Sequence, residues 1–101
     1  MDLIFKGDRA VAVNPDIIYI NTFRYKNSSH DSYNIRACFD NEDNWVKLTD
    51  TYDSYDEAKE ALKTIYQKAI DLAFEYKGAK SIKPIKFEDI NIEIRDLKEE
   101  K

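Results

Sequence analysis

The chain holds one histidine and one cysteine, and this bounds the chemistry open to it. His30 lies in a polar stretch, Lys26 to Asp31, that reads as a turn. No nucleophile stands near it in sequence for a general base to activate. Cys38 would need an electropositive neighbour to become a thiolate at neutral pH. Arg36 is two residues away, yet the alternation around Cys38 reads as an ordinary strand. One His and one Cys cannot build a structural zinc site. Asp40, Glu42 and Asp43 gather carboxylates in one loop, but the glycine and distal glutamate of a calcium loop are absent. Neither Gly7 nor Gly78 belongs to a phosphate-cradling motif. These residues predict no catalytic set, no metal site and no cofactor, and so a protein that is not an enzyme.

Three constellations point instead to binding. The first is charge. From Asp40 to Glu60 stand eight acids opposed only by Lys47 and Lys59, so this segment carries −6 and the remainder +2. If the 40–44 loop and the start of the following helix share one end of the sheet, Asp40, Glu42, Asp43, Asp50, Asp53 and Asp56 form an acidic patch. Such a patch steers a basic protein surface toward it. Solubility and complementation of a helix dipole account for the same acids without a partner. The second constellation is Tyr19, Phe23, Arg24, Tyr25 and Arg36, with Tyr33 beside them, on a long hairpin. Aromatic faces and guanidinium groups suit stacking and phosphate contact with a nucleotide. Ordinary cross-strand pairing explains them equally. The third is Tyr66, Ile70 and Phe74, spaced by four along a helix and drifting off its core face. Either a C-terminal arm covers them through Ile90, Ile92 and Ile94, or a second copy or partner does.

The elements that must position these residues are legible to different degrees. The segment from Ser54 to about Gly78 reads as one amphipathic helix, 54–77. Ser54 and Glu57 form a capping box, and Asp56 and Glu57 lie at the positive end of the dipole. Ala58, Ala61, Leu62, Ile65, Ala69, Leu72, Ala73 and Tyr76 recur on one face, and Lys77-Gly78 supplies the stop. Before it, residues 1–49 read as a strand meander: Leu3–Lys6, Arg9–Val13 with Val11 and Val13 on one side, Ile17–Tyr25, Ser32–Phe39 and Trp45–Thr49 with Val46 and Leu48 inward. The hairpin admits two registers. The one that sets Ile18, Ile20 and Thr22 with Ile35, Ala37 and Phe39 gathers aliphatics under the helix and is preferred. A one-residue slip reverses one strand. Residues 81–96 read as a C-terminal strand or arm, with Pro84 confining Ser81–Phe87 to an edge or an irregular path. Residues 97–101 read as a frayed tail. The expected architecture is α+β: an antiparallel sheet of four to five strands with one long helix on one face, in a single domain over 1–101.

Composition excludes several classes. The apolar share of 43% supports a core. A net charge of −4 argues against direct nucleic-acid binding. A lone cysteine, no signal-like start and no apolar run of membrane-spanning length fit a cytoplasmic protein. The abundance of Lys, Ile, Asn and Tyr, all with A/T-rich codons, hints at a low-GC genome.

The run Trp45-Val46-Lys47-Leu48, then Tyr52-Asp53-Ser54-Tyr55-Asp56-Glu57-Ala58-Lys59 to Leu62 and Ile65, resembles small proteins of low-GC Gram-positive bacteria and their phages. These combine a strand meander with one capped helix. The resemblance covers about residues 9–76 and implies the fold more than an activity. It also implies a mobile-element origin and, for some phage proteins of this kind, antagonism of host defence of the anti-CRISPR sort. The expectation is a protein-binding module, dimeric or monomeric, that blocks a host protein with a basic surface in the host cytoplasm. The alternative is a nucleotide-binding or sequestering oligomer.

Overall fold

The computed structural model describes residues 3–39, 44–75, 85–88 and 92–93, without the side chains of 73–75 and 92–93. It is an α+β fold. In chain order the elements are β1 (Ile4–Lys6), β2 (Val11–Val13), β3 (Ile17–Phe23), β4 (Ser32–Cys38), β5 (Trp45–Lys47), α1 (Tyr55–Glu75), β6 (Lys86–Phe87) and β7 (Ile92–Glu93). A five-stranded sheet has the order β5-β4-β3-β6-β7, and β1 and β2 form a separate two-stranded ribbon.

The β3–β4 hairpin is the centre. Its β-branched residues favour extended backbone, and its register is the one that gathers the aliphatics. Ile18 pairs with Ala37, Ile20 with Ile35 and Thr22 with Tyr33. On that face Ile18, Ile20, Ile35 and Ala37 are buried, and α1 lies across them with Ala58, Leu62 and Ala69 buried in turn. Small Ala residues at the contact let the helix approach closely while Leu62 fills the space between. Burial of a Leu-sized side chain contributes roughly 1.5–3 kcal/mol. Val46, Leu48, Ala61 and Ile65 are half-buried at the margin of this core.

The cap forms with one difference in detail. The Glu57 N–H donates to Ser54 Oγ at 3.1 Å, as a capping box requires, but the Ser54 hydroxyl itself donates to Glu57 Oε1 at 3.3 Å. The apolar stripe of α1 also outruns the sheet. Leu72, expected on the core face, is 44% exposed. The stop at Lys77-Gly78 and the position of Tyr76 lie outside the described residues.

Three expectations about the strands need correction. The sheet is mixed rather than antiparallel, because β6 pairs with β3 in parallel, Ile17 with Lys86 and Ile18 with Phe87. The chain crosses over on the helix and returns in the direction of β3, as parallel pairing demands. Residues 86–87 are not an edge, since β6 has β3 on one side and β7 on the other. Proline removes only its own N–H. Two residues beyond Pro84, the Lys86 N–H donates to Asp16 O at 3.0 Å, and Phe87 is fully buried. Finally, β1 and β2 do not extend the meander. Asn14, with φ of 50°, turns the chain out of β2. Its Oδ1 accepts the Leu3 N–H, and its own N–H donates to Leu3 O, both at 2.9 Å, which closes the ribbon on itself. Leu3 and Ala12 face the core, so Val11 and Val13 face solvent.

Candidate functional site

The end of the molecule at the start of α1 is built from the tip of the β3–β4 hairpin and the segment entering the helix. Thr49 pins that segment: its Oγ1 accepts the Ile35 N–H at 3.1 Å and donates to Asp50 O at 2.9 Å. Tyr33 and Tyr52 then exchange two backbone hydrogen bonds of 3.0 and 2.7 Å. The rings follow the backbone. Tyr33 meets Tyr55 edge-on at 5.9 Å, Phe23 meets Tyr25 edge-on at 5.3 Å, and the Tyr25 hydroxyl lies 3.5 Å from Thr51 Oγ1. Tyr25 and Tyr55 remain 57% and 39% exposed. Asp50, Asp53 and Asp56, in the segment that enters the helix, are all exposed. Asp53 lies 3.9 Å from His30 Nε2, whereas Asp50 and Asp56 make no ion pair with a described residue. Carboxylates and tyrosine faces thus share one surface. Asp40, Glu42 and Asp43, the other half of the expected acidic patch, lie outside the described residues.

The hairpin constellation divides in two. Tyr19 stands directly opposite Arg36 on the face away from α1. Arg36 in turn neighbours Lys47, and Cys38 neighbours Trp45. A groove of about 310 Å³ lies there, lined by Ile17, Tyr19, Arg36, Cys38 and Glu88. The Arg36 guanidinium sits 3.6 Å above the Trp45 ring, and its Nε is buried without a hydrogen-bond partner. The other members lie elsewhere. Arg24 places Nε and Nη2 on Asp31 Oδ1 at 3.0 and 2.9 Å in the turn, while Phe23 and Tyr25 belong to the acidic end. Trp45, Lys47 and Glu88 were not singled out from sequence. Trp45 and Lys47 follow once the β4–β5 register is known. Glu88 arrives through the parallel pairing of β6, for which local sequence carries no signal.

The off-core stripe of α1 meets its own chain. Tyr66 packs edge-on against Phe87 at 5.1 Å, and both Tyr66 and Ile70 are half-buried against the core. Burial pushes the Tyr66 hydroxyl above its ordinary pKa of 10.0. Phe87 is the described cover for Tyr66, and the Ile92 side chain lies outside the described residues. The Phe74 side chain, Ile90 and Ile94 lie outside the described residues.

His30 is held in the hairpin turn by Ser28, with Oγ 3.2 Å from its Nδ1. Its approach to Asp53 is on open surface rather than in a closed pocket. Cys38 is buried, and its thiol points to the Phe39 carbonyl at 3.1 Å. Among the described residues no group of three His, Cys, Asp or Glu side chains is placed to hold a metal ion, and no helix is long and apolar enough to cross a membrane. No protein family matches the chain, and neither a curated protein nor a solved structure matches it.

Proposed function

We propose that the protein is a non-enzymatic binding module that docks its helix-N-terminal end on a basic surface of a partner protein. The observation that carries this reading is the joining of Asp50, Asp53 and Asp56 to exposed Tyr25 and Tyr55 on one surface. Tyr supplies large, stiff contact area at low entropic cost and is a frequent interface anchor. Exposed carboxylates around it steer a basic partner and set register. In its most specific form the partner is a nucleic-acid-binding host-defence protein in the host cytoplasm, the role implied by the resemblance to phage proteins. The test is capture from bacterial lysate on wild-type protein and on the Asp50→Lys, Asp53→Lys, Asp56→Lys variant, followed by affinity measurement at low and high salt. A partner lost by the variant, with a flattened salt dependence, is the expected result. A partner held equally by both removes the reading.

A second reading has its own observation, the Arg36 and Tyr19 side chains lining one groove with Arg36 stacked on Trp45. A guanidinium braced on Trp45 is fixed in direction and suits a phosphate, while Tyr19 offers a stacking face. Calorimetric titration with adenosine monophosphate, before and after Arg36→Ala, checks it. Uptake abolished by the substitution, with the circular dichroism spectrum unchanged, is expected of a nucleotide site.

A further inference from the structure

A different surface lies between the ribbon and the second half of α1. The bonds from Asn14 N to Leu3 O and from Gly7 N to Ala10 O flank a register in which Phe5 pairs with Ala12. In an antiparallel ladder, residues alternate between facing the partner strand and facing away. Leu3, Phe5 and Gly7 therefore face β2, and Ile4 and Lys6 direct their N–H and C=O groups to the other edge of β1. No described group takes them. Alongside that edge runs an apolar groove of about 260 Å³. Leu3 and Phe5 line it from the strand, and Ile65, Ala69 and Leu72 line it from one face of the helix. Lys6 and Lys68 stand on its two sides, and no acidic residue lines it among the described residues.

We infer that this groove receives an extended peptide segment, which adds as a strand to β1 and places a carboxylate between Lys6 and Lys68. The unpaired amides and carbonyls of Ile4 and Lys6 supply main-chain bonds of the kind used in strand addition. The pleat turns alternate side chains of the incoming strand toward Ile65, Ala69 and Leu72. The lysines select a negative charge, whether a chain terminus or an Asp or Glu side chain. The groove meets the acidic end at Lys6, which lines a second pocket with Asp8, Asp50 and Tyr52, but its ligand carries the opposite charge, so the inference does not rest on the function proposed above.

Three eight-residue peptides alternating valine and threonine test it: one with a free terminal carboxylate, one amidated, and one amidated with an internal glutamate. Binding is followed by amide shifts and hydrogen exchange in the isotope-labelled protein. The acidic peptides are expected to shift and protect the Ile4 and Lys6 amides. The neutral peptide is expected to bind about fivefold more weakly, the upper end for an exposed ion pair. If the free terminus binds and the internal glutamate does not, the ligand is a chain end; the converse makes it an internal acidic segment. Lys68→Glu removes the preference for acid, and Leu72→Asp, at a position already exposed, lowers affinity roughly tenfold by spoiling the apolar wall. Failure of all three peptides to protect Ile4 and Lys6 at millimolar concentration overturns the inference. So does protection that grows with protein concentration alone, which would assign the edge to a second copy.

Discussion

The two halves of α1 carry the same apolar stripe to different ends. In the first half, Ala58 and Leu62 sink into the β3–β4 hairpin and are fully buried. The surface left there is polar: Asp50, Asp53 and Asp56 with Tyr25 and Tyr55. In the second half the cover narrows: Ala69 is still buried and Tyr66 meets Phe87, but Leu72 is 44% exposed. Beside Ile65, Ala69 and Leu72 lie the three-residue strand β1 and Leu48, and among the described residues a groove and an unpaired edge of β1 remain. A stripe of constant composition becomes core or binding surface according to how much sheet lies under it. Unpaired strand edges are normally blunted because they invite pairing. In the proposed roles the flanking lysines would restrict which strand can pair, and the acidic end would take the opposite charge. The two surfaces differ in the charges that line them, Lys6 and Lys68 at the groove and Asp50, Asp53 and Asp56 at the helix start.

The comparison breaks most readily at Gly7. This residue sits where the ribbon leans on β5, and the Asp8 N–H reaches Lys47 O at 3.4 Å. A Cβ at Gly7 would collide with the Lys47 carbonyl oxygen and the Val46 side chain. A backbone oxygen cannot swing aside as a side-chain tip can, so the ribbon itself must move. Gly7→Ala should cost about 1–3 kcal/mol, typical of overpacking, and lower Tm by roughly 4–12 °C. Its diagnostic is selectivity. Peptide protection at Ile4 and Lys6 should be lost while affinity for a basic partner at the acidic end persists. Equal loss at both ends would mean that the two surfaces are not separable.

Legibility followed the range of the interactions involved. The helix, its cap and the aliphatic register of the hairpin depend on residues within a few positions or on one alternating pattern, and these were readable. Burial of Ile18, Ile20, Ile35 and Ala37 leaves only one energetically acceptable register. The parallel placement of Phe87 beside Ile18 was not readable, because it depends on where a crossover lands. The separation of β1 and β2 was hidden because Val11 and Val13 look like core residues. In fact Ala12, being small, takes the inward position opposite Phe5. The same holds for the candidate sites. Asp50, Asp53 and Asp56 lie within seven residues and could be grouped by eye, while their union with Tyr25 needed the hairpin to fold back on Thr51. The pairing of Arg36 with Trp45 needed the β4–β5 register. The groove beside β1 left no trace in composition, because it depends on which described elements leave that edge of β1 open.

A smaller perturbation sharpens the contrast from the other side. Ser54 stops the backbone at the start of α1 by accepting the Glu57 N–H, and its hydroxyl orients the Glu57 carboxylate. Ser54→Ala leaves that N–H to solvent and should cost about 1 kcal/mol, seen as a modest fall in Tm. The more telling effect is local. Fraying of the first turn loosens Tyr55 and Asp56, the two members of the acidic surface that belong to the helix, while Ile65, Ala69 and Leu72 lie roughly three to five turns away. Affinity for a basic partner should fall, and peptide protection at Ile4 and Lys6 should not change. Ser54→Asp restores an N-cap acceptor and adds negative charge at the helix start, so it should recover both stability and binding. If Ser54→Ala weakens the acidic surface and Ser54→Asp fails to restore it, the hydroxyl acts there through something other than the cap.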